Sequence, residues 1–348
     1  MSASLLAPVP RPDLDHVLAH TESVWREMAG AEVFITGGTG FFGLWLLESL
    51  AWADARLKVG VRATVLSRDP EEFFRRVPHL TGNRALTFIT GDVRDFALPT
   101  SRYTHLVHAA FDSSRAITDP LAAFDTLTQG TRRMLEFAAA QPVERMLFVS
   151  SGAVYGPQAS YVEHVPESYL GGPDTLSPAS AYAEGKRTGE FLCGIAASNG
   201  LPVTIARCFA FMGPGLPIDS HFAAGNFLRD AHRGGDIVVK GDGSAVRSYL
   251  YAADLAIWLW TILLRGKGGR AYNVGSDQGI SIGEFARLIA AHAPARPAVR
   301  ILQAGVGGSP ERYVPDIGRA RDELGLRQLI PLQASIERTL DWLGETRR

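Results

Sequence analysis

Residues 31–53 read AEVFITGGTGFFGLWLLESLAWA, and this stretch decides the fold. AEVFIT (31–36) is a short run rich in β-strand formers, and GFFGLWLLESLAWA has the length and apolar content of a helix. Between them stand glycines at 37, 40 and 43. Each has a physical use when a strand turns into a helix. Gly37 permits a tight turn, Gly40 lets the backbone approach a ligand, and Gly43 lets the helix pack close to the strand. The helix N-terminus then offers unpaired N–H groups and partial positive charge to a pyrophosphate. Gly37, Thr39, Gly40, Phe41, Phe42 and Gly43 are therefore candidate contacts to a dinucleotide. A plain glycine-rich turn shares the spacing. The strand before it, the helix after it and the alternating series that follows select the dinucleotide reading.

That series continues with RATVLS (62–67), ALTFITGD (85–92), THLVHAA (104–110), a helix over 120–140, RMLFVSS (145–151), a helix after Ser180 and VTIARCF (203–209). Apolar strands alternating with helices predict an α/β fold: a Rossmann-type doubly wound parallel sheet. From Met212 the pattern loosens into Gly/Pro-rich loops and mixed helices, which predicts a smaller, mixed C-terminal lobe. The expected division is a leader and helix in 1–29, a nucleotide-binding domain in 30–210 joined by a returning segment near 246–276, and a mainly substrate-binding lobe in 211–348. Residues 1–12 read as a loose Pro-rich leader. Leu14, Val17, Leu18 and Val24 predict a helix over 13–28 that Asp13 caps.

The 348 residues carry a net charge of −1, with 46% hydrophobic and 20% charged residues. That balance gives no general attraction to nucleic acid or to anionic membranes, so an anionic ligand needs local arginines and backbone N–H groups. Cys193 and Cys208 read as small buried hydrophobes rather than a disulfide framework, and no Cys/His spacing suggests a metal. The N-terminus lacks the apolar core of a signal peptide. The longest apolar run, Leu255 to Leu264, is too short to cross a bilayer, so a cytoplasmic location is expected.

The second strand ends in Ser67-Arg68-Asp69. A hydroxyl and a guanidinium suit a ribose 2′-phosphate, whereas a carboxylate suits the 2′,3′-diol of NAD. NADP(H) is therefore favoured over NAD(H), with Asp69 the objection. Asp92, followed by Val93, is read either as an acceptor for the adenine amino group or as a turn residue.

Tyr182-Ala183-Glu184-Gly185-Lys186 places a phenol and an ammonium on one helical face. The ammonium is expected to lower the phenol's pKa. Ser151, at the end of a central strand, lies where such sheets bind ligands. Together TGGTGFFG, SSGAVYG, YAEGK and RSYLYAADLA resemble the extended short-chain dehydrogenase/reductase family, in its NAD(P)-dependent epimerase/dehydratase branch acting on nucleotide sugars. The resemblance runs from about Ala31 to the C-terminus. It implies that Ser151, Tyr182 and Lys186 are the catalytic triad, and that Ala109 and Ala110 line the cofactor. It implies a homodimer through a four-helix bundle of the helices 120–140 and 181–198. It also implies that Ser151, Gly152, Phe209, His221, Asn226, Arg247 and Arg312 line the site of a nucleotide-diphosphate sugar, a dTDP-sugar being the best guess.

The chain departs from that pattern in useful places. Gly152-Ala153 stand where the 4,6-dehydratases carry Asp-Glu, and neither can move a proton. Ala210 and Leu127 replace two frequent asparagines. The favoured reading is reduction of a 4-keto (6-deoxy)hexose at C4. The alternative is a 4-epimerase with tightly bound NAD, and 4,6-dehydration or a non-catalytic NAD(P)-binding protein stand behind both.

Overall fold

The computed structural model describes residues 5–111, 118–219, 222–305, 307 and 309–345. Strands β1 (Glu32–Thr36), β2 (Arg62–Ser67), β3 (Leu86–Thr90), β4 (His105–His108), β5 (Arg145–Ser151) and β6 (Val203–Cys208) follow the expected order, each slightly shorter than or equal to its sequence run. They join β11 (Ala271–Val274) in one parallel seven-stranded sheet of order β11-β6-β5-β4-β1-β2-β3. Strand order reverses on either side of β1 and β4, the crevice where open α/β sheets bind ligands. All four residues of β4 are buried, as expected for a central parallel strand covered on both faces.

The helices that cover the sheet are α2 (Phe41–Leu57), α3 (Pro70–Arg76), α4 (Pro120–Ala139), α5 (Ala181–Ser198) and α7 (Ala252–Arg265). The α4 and α5 helices lie side by side. Gly185 is what lets them approach, because a Cβ there would sit 2.6 Å from Leu127. Leu127 is thus a buried packing residue.

Helix α7 is apolar on all sides, and Ala252 through Leu263 are buried. A helix of that kind needs cover on every face. The sheet supplies one side, and α1 (Arg11–Glu27) with α2 supplies the rest. Trp25 of α1 meets Trp260 of α7 edge to face, 4.8 Å between centroids. This is the work of the N-terminal helix, and it corrects two expectations. Asp13 does not cap α1, which begins after Pro10 without a side-chain cap. Its buried carboxylate instead accepts from Tyr251 Oη (2.6 Å) and from Arg338 (2.5 Å). The leader is not loose from residue 5 onward. Leu6 N donates to Arg76 O, Val9 N donates to the Glu48 carboxylate, and Trp342 donates to Ala7 and Pro8 carbonyls.

The remaining elements are α6 (Ala223–His232), α8 (Ile282–His292), α9 (Gly318–Leu324), α10 (Leu332–Glu345) and short strand pairs. Strand β7 (Phe211–Met212) pairs with β10 (Leu250–Tyr251), and β8 (Ile237–Val239) pairs with β13 (Val299–Ile301). Strand β9 (Val246–Arg247) lies between β12 (Ile280–Ser281) and β14 (Arg312–Tyr313). Cys193 and Cys208 are buried free thiols. Among the described residues no helix is long and apolar enough to cross a membrane.

Candidate active site

The glycine turn meets its demands one by one. Gly37 has φ +76°, and a Cβ there would fall 2.4 Å from the Ala109 carbonyl carbon, so the turn backs directly onto Ala109 and Ala110. A Cβ on Gly43 would lie 2.3 Å from Gly38 Cα, which is the close helix–turn packing the spacing implies. Gly40 differs. Its φ is an ordinary −88°, and a Cβ there would meet only Gly37 O at 3.5 Å. No neighbour among the described residues requires that glycine, and its open face would suit the approach of a pyrophosphate. Helix α2 has no side-chain cap and no acidic residue in its first turn, leaving its amide donors for an anion. The residues present fit a dinucleotide.

At the end of β2, Ser67 is buried and its Oγ accepts from Asp69 N at 3.2 Å. Asp69 is turned away to cap α3, accepting from Glu72 N at 2.8 Å. Asp92 behaves as a turn residue: it accepts from Arg94 N and holds the Arg94 guanidinium with both oxygens, at 2.8 and 3.0 Å. Arg94 accordingly keeps its carboxyl below the usual range, with Arg68 adding to the effect. Val93 beside it is buried against Gly130.

Ser151, Tyr182 and Lys186 come together at the carboxyl end of β5. Ser151 ends the strand and its Oγ accepts from Ala153 N at 3.1 Å, capping the tight turn 152–155. Tyr182 and Lys186 share a face of α5, and both approach Phe111. The Tyr182 ring lies 4.6 Å from the Phe111 ring, and Lys186 Nζ lies 5.9 Å from it. Lys186 is buried and donates to Val149 O at 2.6 Å. Burial lowers its pKa to about 8. Burial also pushes the Tyr182 phenol up to about 12, partly offset by the Ser151 hydroxyl. This is opposite to the direction expected from the Tyr–Lys spacing. Loss of water around the phenol outweighs the help of the Ser151 hydroxyl, and Lys186 spends one of its N–H donors on the Val149 carbonyl.

Sequence reasoning missed two residues here. His108, buried on β4, bridges Thr36 Oγ1 (2.7 Å) and Thr131 Oγ1 (3.1 Å). Burial, with Lys186 nearby, drives its pKa down to about 3, so it forms a neutral wall beside the lysine. Tyr313 is the other. Its ring packs 4.6 Å from the Phe209 ring, and its Oη lies 2.8 Å from where a Gly152 Cβ would be. Phe209 is thus a buried backing residue of the Gly152 turn. Nothing in local spacing marks Tyr313. It arrives on a two-residue strand from the far lobe.

The other substrate candidates are less gathered. Asn226 Oδ1 accepts from Arg229 at 3.0 Å. Arg247 is held by Glu311 in an ion pair at 2.7 Å. Arg312, on the adjacent strand, has no ion-pair partner among the described residues. His221 lies outside the described residues.

The NAD dependent epimerase/dehydratase family model matches residues 33–275, more than half of the chain. The chain belongs to this family. Epimerase/dehydratase family relatives span most of it. UDP-glucuronic acid decarboxylase 1 of Xenopus tropicalis is 29% identical over 316 residues, covering 89% of this chain and 71% of its own. The dTDP-glucose 4,6-dehydratase of Streptomyces antibioticus is 27% identical over 332 residues, covering 90% and 93%. Among solved structures, DesIV, a dTDP-glucose 4,6-dehydratase from Streptomyces venezuelae with NAD and TYD bound, superposes with TM-score 0.76 at 26% identity, over 91% and 98% of the two chains. A UDP-glucose 4-epimerase from Thermotoga maritima superposes with TM-score 0.75 at 21% identity, over 91% and 100%, which shows the shared fold. The chain is an enzyme-family member of the nucleotide-sugar class with a nicotinamide dinucleotide site.

Proposed function

We propose that this chain reduces a 4-keto (6-deoxy)hexose carried on a nucleotide diphosphate, by hydride transfer at C4 with NADPH. The observation that carries this reading is the Gly152–Ala153 pair. Elimination across a sugar needs an acid and a base beside the reacting carbons. Residue 152 has no room for either, because Phe209 Cζ and Tyr313 Oη lie 2.7 and 2.8 Å from its Cβ position. What remains at this position is hydride transfer coupled to movement of one proton.

The nicotinamide supplies the hydride when bound. Tyr182, a protonated phenol at neutral pH, donates its proton to the reacting oxygen, and Ser151 adds a second hydroxyl at the same point. Lys186 contributes a buried positive charge beneath the site and a donor for the nicotinamide ribose. Arg312 is the diphosphate anchor, with Arg247 able to join it by leaving the exposed Glu311. The Ser67–Arg68 end of β2, with Asp69 committed to α3, supports NADP(H). Exposed Phe191 (68%) and Ile195 (45%), one turn apart on α5, support a homodimer through α4 and α5, and sedimentation at a dimer's mass is the expected measurement.

The test is the coenzyme released from purified protein by denaturation, identified by mass, with NADPH and NADH titrations. A panel of dTDP- and UDP-linked 4-keto sugars, hexoses and UDP-glucuronate is then assayed with each. The expected result is protein that binds NADPH in preference to NADH and oxidises it with a 4-keto substrate. Tightly retained NAD with turnover of an NDP-hexose lacking added coenzyme overturns the reductase. It would establish 4-epimerisation, the second reading, which the NAD in the Streptomyces venezuelae structure favours.

A further inference from the structure

We propose that the buried Glu190–Arg207 pair is a positioning element of the catalytic centre, one that holds the helix of Tyr182 and Lys186 and the turn after Ser151 in a single rigid frame. This rests on the Ser151–Tyr182–Lys186 site proposed above and adds two side chains that act through those three.

The frame begins on β5. Alternate residues of a strand face one side of the sheet, and here Phe148 and Ser150 meet α5. A Cβ on Gly189 would fall 2.5 Å from Phe148 Cζ, so the helix lies directly on the strand. One residue on, Glu190 accepts from Ser150 Oγ at 2.5 Å. One turn back, Lys186 donates to Val149 O at 2.6 Å. Two successive residues of β5 thus hold two successive turns of α5. Arg207 stands beside Ser150 in the register of β5 and β6 and closes on the same carboxylate. Its Nε lies 3.0 and 3.1 Å from the two Glu190 oxygens, and its Nη2 donates to Oε2 at 2.6 Å.

The other arm of the guanidinium reaches the Ser151 turn. Arg207 Nη1 donates to Tyr155 Oη at 2.9 Å and to Glu167 O at 3.1 Å, and the guanidinium lies over the Tyr155 ring, 4.8 Å from its centroid. Tyr155 ends the turn 152–155 that Ser151 caps, and its own hydroxyl donates to Asn273 Oδ1 on β11 at 2.7 Å. One planar fork therefore ties α5 to that turn, which a point charge on a flexible stem cannot do. The side chains of Glu190 and Arg207 are only 11% and 17% exposed. A pair buried that far gains little stability over apolar residues of the same volume, so its directional bonds are what an apolar pair would not replace.

The pair also sets the charge beside Lys186. The ammonium is faced by Tyr182, Glu190 and Cys193 of its own helix, by Cys208 of β6 and by His108 of β4. Burial keeps the phenol and both thiols protonated and the imidazole neutral. Glu190 is then the anion of the group, and it favours the charged lysine.

Glu190→Leu with Arg207→Met removes both charges at once, so neither is left buried and unpaired. The double variant is expected to melt within about 5 °C of the parent and to lose about tenfold in kcat, with substrate KM and coenzyme affinity changed less than about twofold. Arg207→Lys keeps the charge, gives up the fork and is expected to lose about as much. Parental kcat in either folded variant overturns the proposal. A double variant that does not fold also overturns it, because the pair is then a folding element. A second arm needs no substrate. The chain has four lysines, of which Lys58, Lys240 and Lys267 are exposed. In protein labelled with 13C at lysine Cε, the Lys186 signal is assigned by its loss in Lys186→Met. Its titration midpoint, about 8 in the parent, is expected to fall in the double variant, which lacks the facing anion, while the other three stay in place. An unmoved Lys186 midpoint overturns the proposal whatever the substrate. A lowered midpoint in a protein that turns over nothing in the panel supports the frame and sinks only the substrate reading.

Discussion

The sheet half and the far lobe of this chain are built on different terms. The sheet half pairs strands of four to seven residues in one parallel register, and β1, β2, β4 and β5 each lead to a covering helix. The far lobe pairs strands of two or three residues, and its β14 brings Tyr313 over Gly152 on a pairing only two residues long. The first kind of structure is specified locally, by periodicity and glycine spacing. The second is specified by what it docks against. On the proposed reading the two halves divide the chemistry accordingly: proton and hydride handling fall to β1, β5 and α5, and substrate contacts to β9 and β14. The same contrast separates two helix ends. Helix α8 closes its N-terminus with a full capping box of Ser281 and Glu284, whereas α2 leaves its own open.

The sharpest way to break the comparison is at the sheet end. Tyr182→Phe is expected to lower turnover by about a thousandfold, the worth of a placed general acid, with coenzyme affinity retained in a fluorescence titration. Loss of coenzyme affinity instead would make the phenol a binding group.

The glycines come next. Gly40→Ala has room in the protein and an ordinary φ, so its melting temperature should match the parent while coenzyme binding weakens at least about tenfold. Gly43→Ala drives a Cβ into backbone, so it should lose about 1–3 kcal/mol of stability. Equal behaviour of the two variants would remove the distinction between ligand-facing and protein-facing glycine.

Asp13→Ala strands the buried Tyr251 hydroxyl and the half-exposed Arg338. It should cost about 2 kcal/mol in denaturant unfolding, with turnover unchanged, if α1 serves only to cover α7.

Lys186 supplies a pH test. With its pKa lowered to about 8, the ammonium is present below that pH and lost above it. kcat/KM should therefore decline above pH about 8 by up to tenfold per unit, and a profile flat to pH 10 would mean that the charge is not used.

The smallest effect is expected in the far lobe. Arg312→Ala should raise KM about fivefold at constant kcat, and Arg247→Ala should raise it less, since Arg247 must first leave Glu311. The reverse ranking would assign the diphosphate to Arg247.

Much of this was legible in the residues. The order of strands and helices through 209, the glycine turn and the shared face of Tyr182 and Lys186 follow from spacing, because a strand repeats every two residues and a helix nearly every four; that Ser151 joins them is what the family resemblance implies. The direction of the Tyr182 shift was not legible, since it depends on how much water the folded site excludes. Nor was the fate of Asp13, Asp69 or Asp92. Each carboxylate found a partner that a linear reading cannot rank: a tyrosine and an arginine from distant helices, the first turn of α3, and the next arginine but one. By itself the sequence determined the glycine-rich strand–turn–helix, the doubly wound sheet and the shared helical face of Tyr182 and Lys186. Only the tertiary structure decided that α1 covers an all-apolar helix and that Tyr313 stands over Gly152. The first group rests on contacts within a strand–turn–helix or one helical face. The second rests on surfaces and short strands that acquire a position only once the rest of the chain has packed around them.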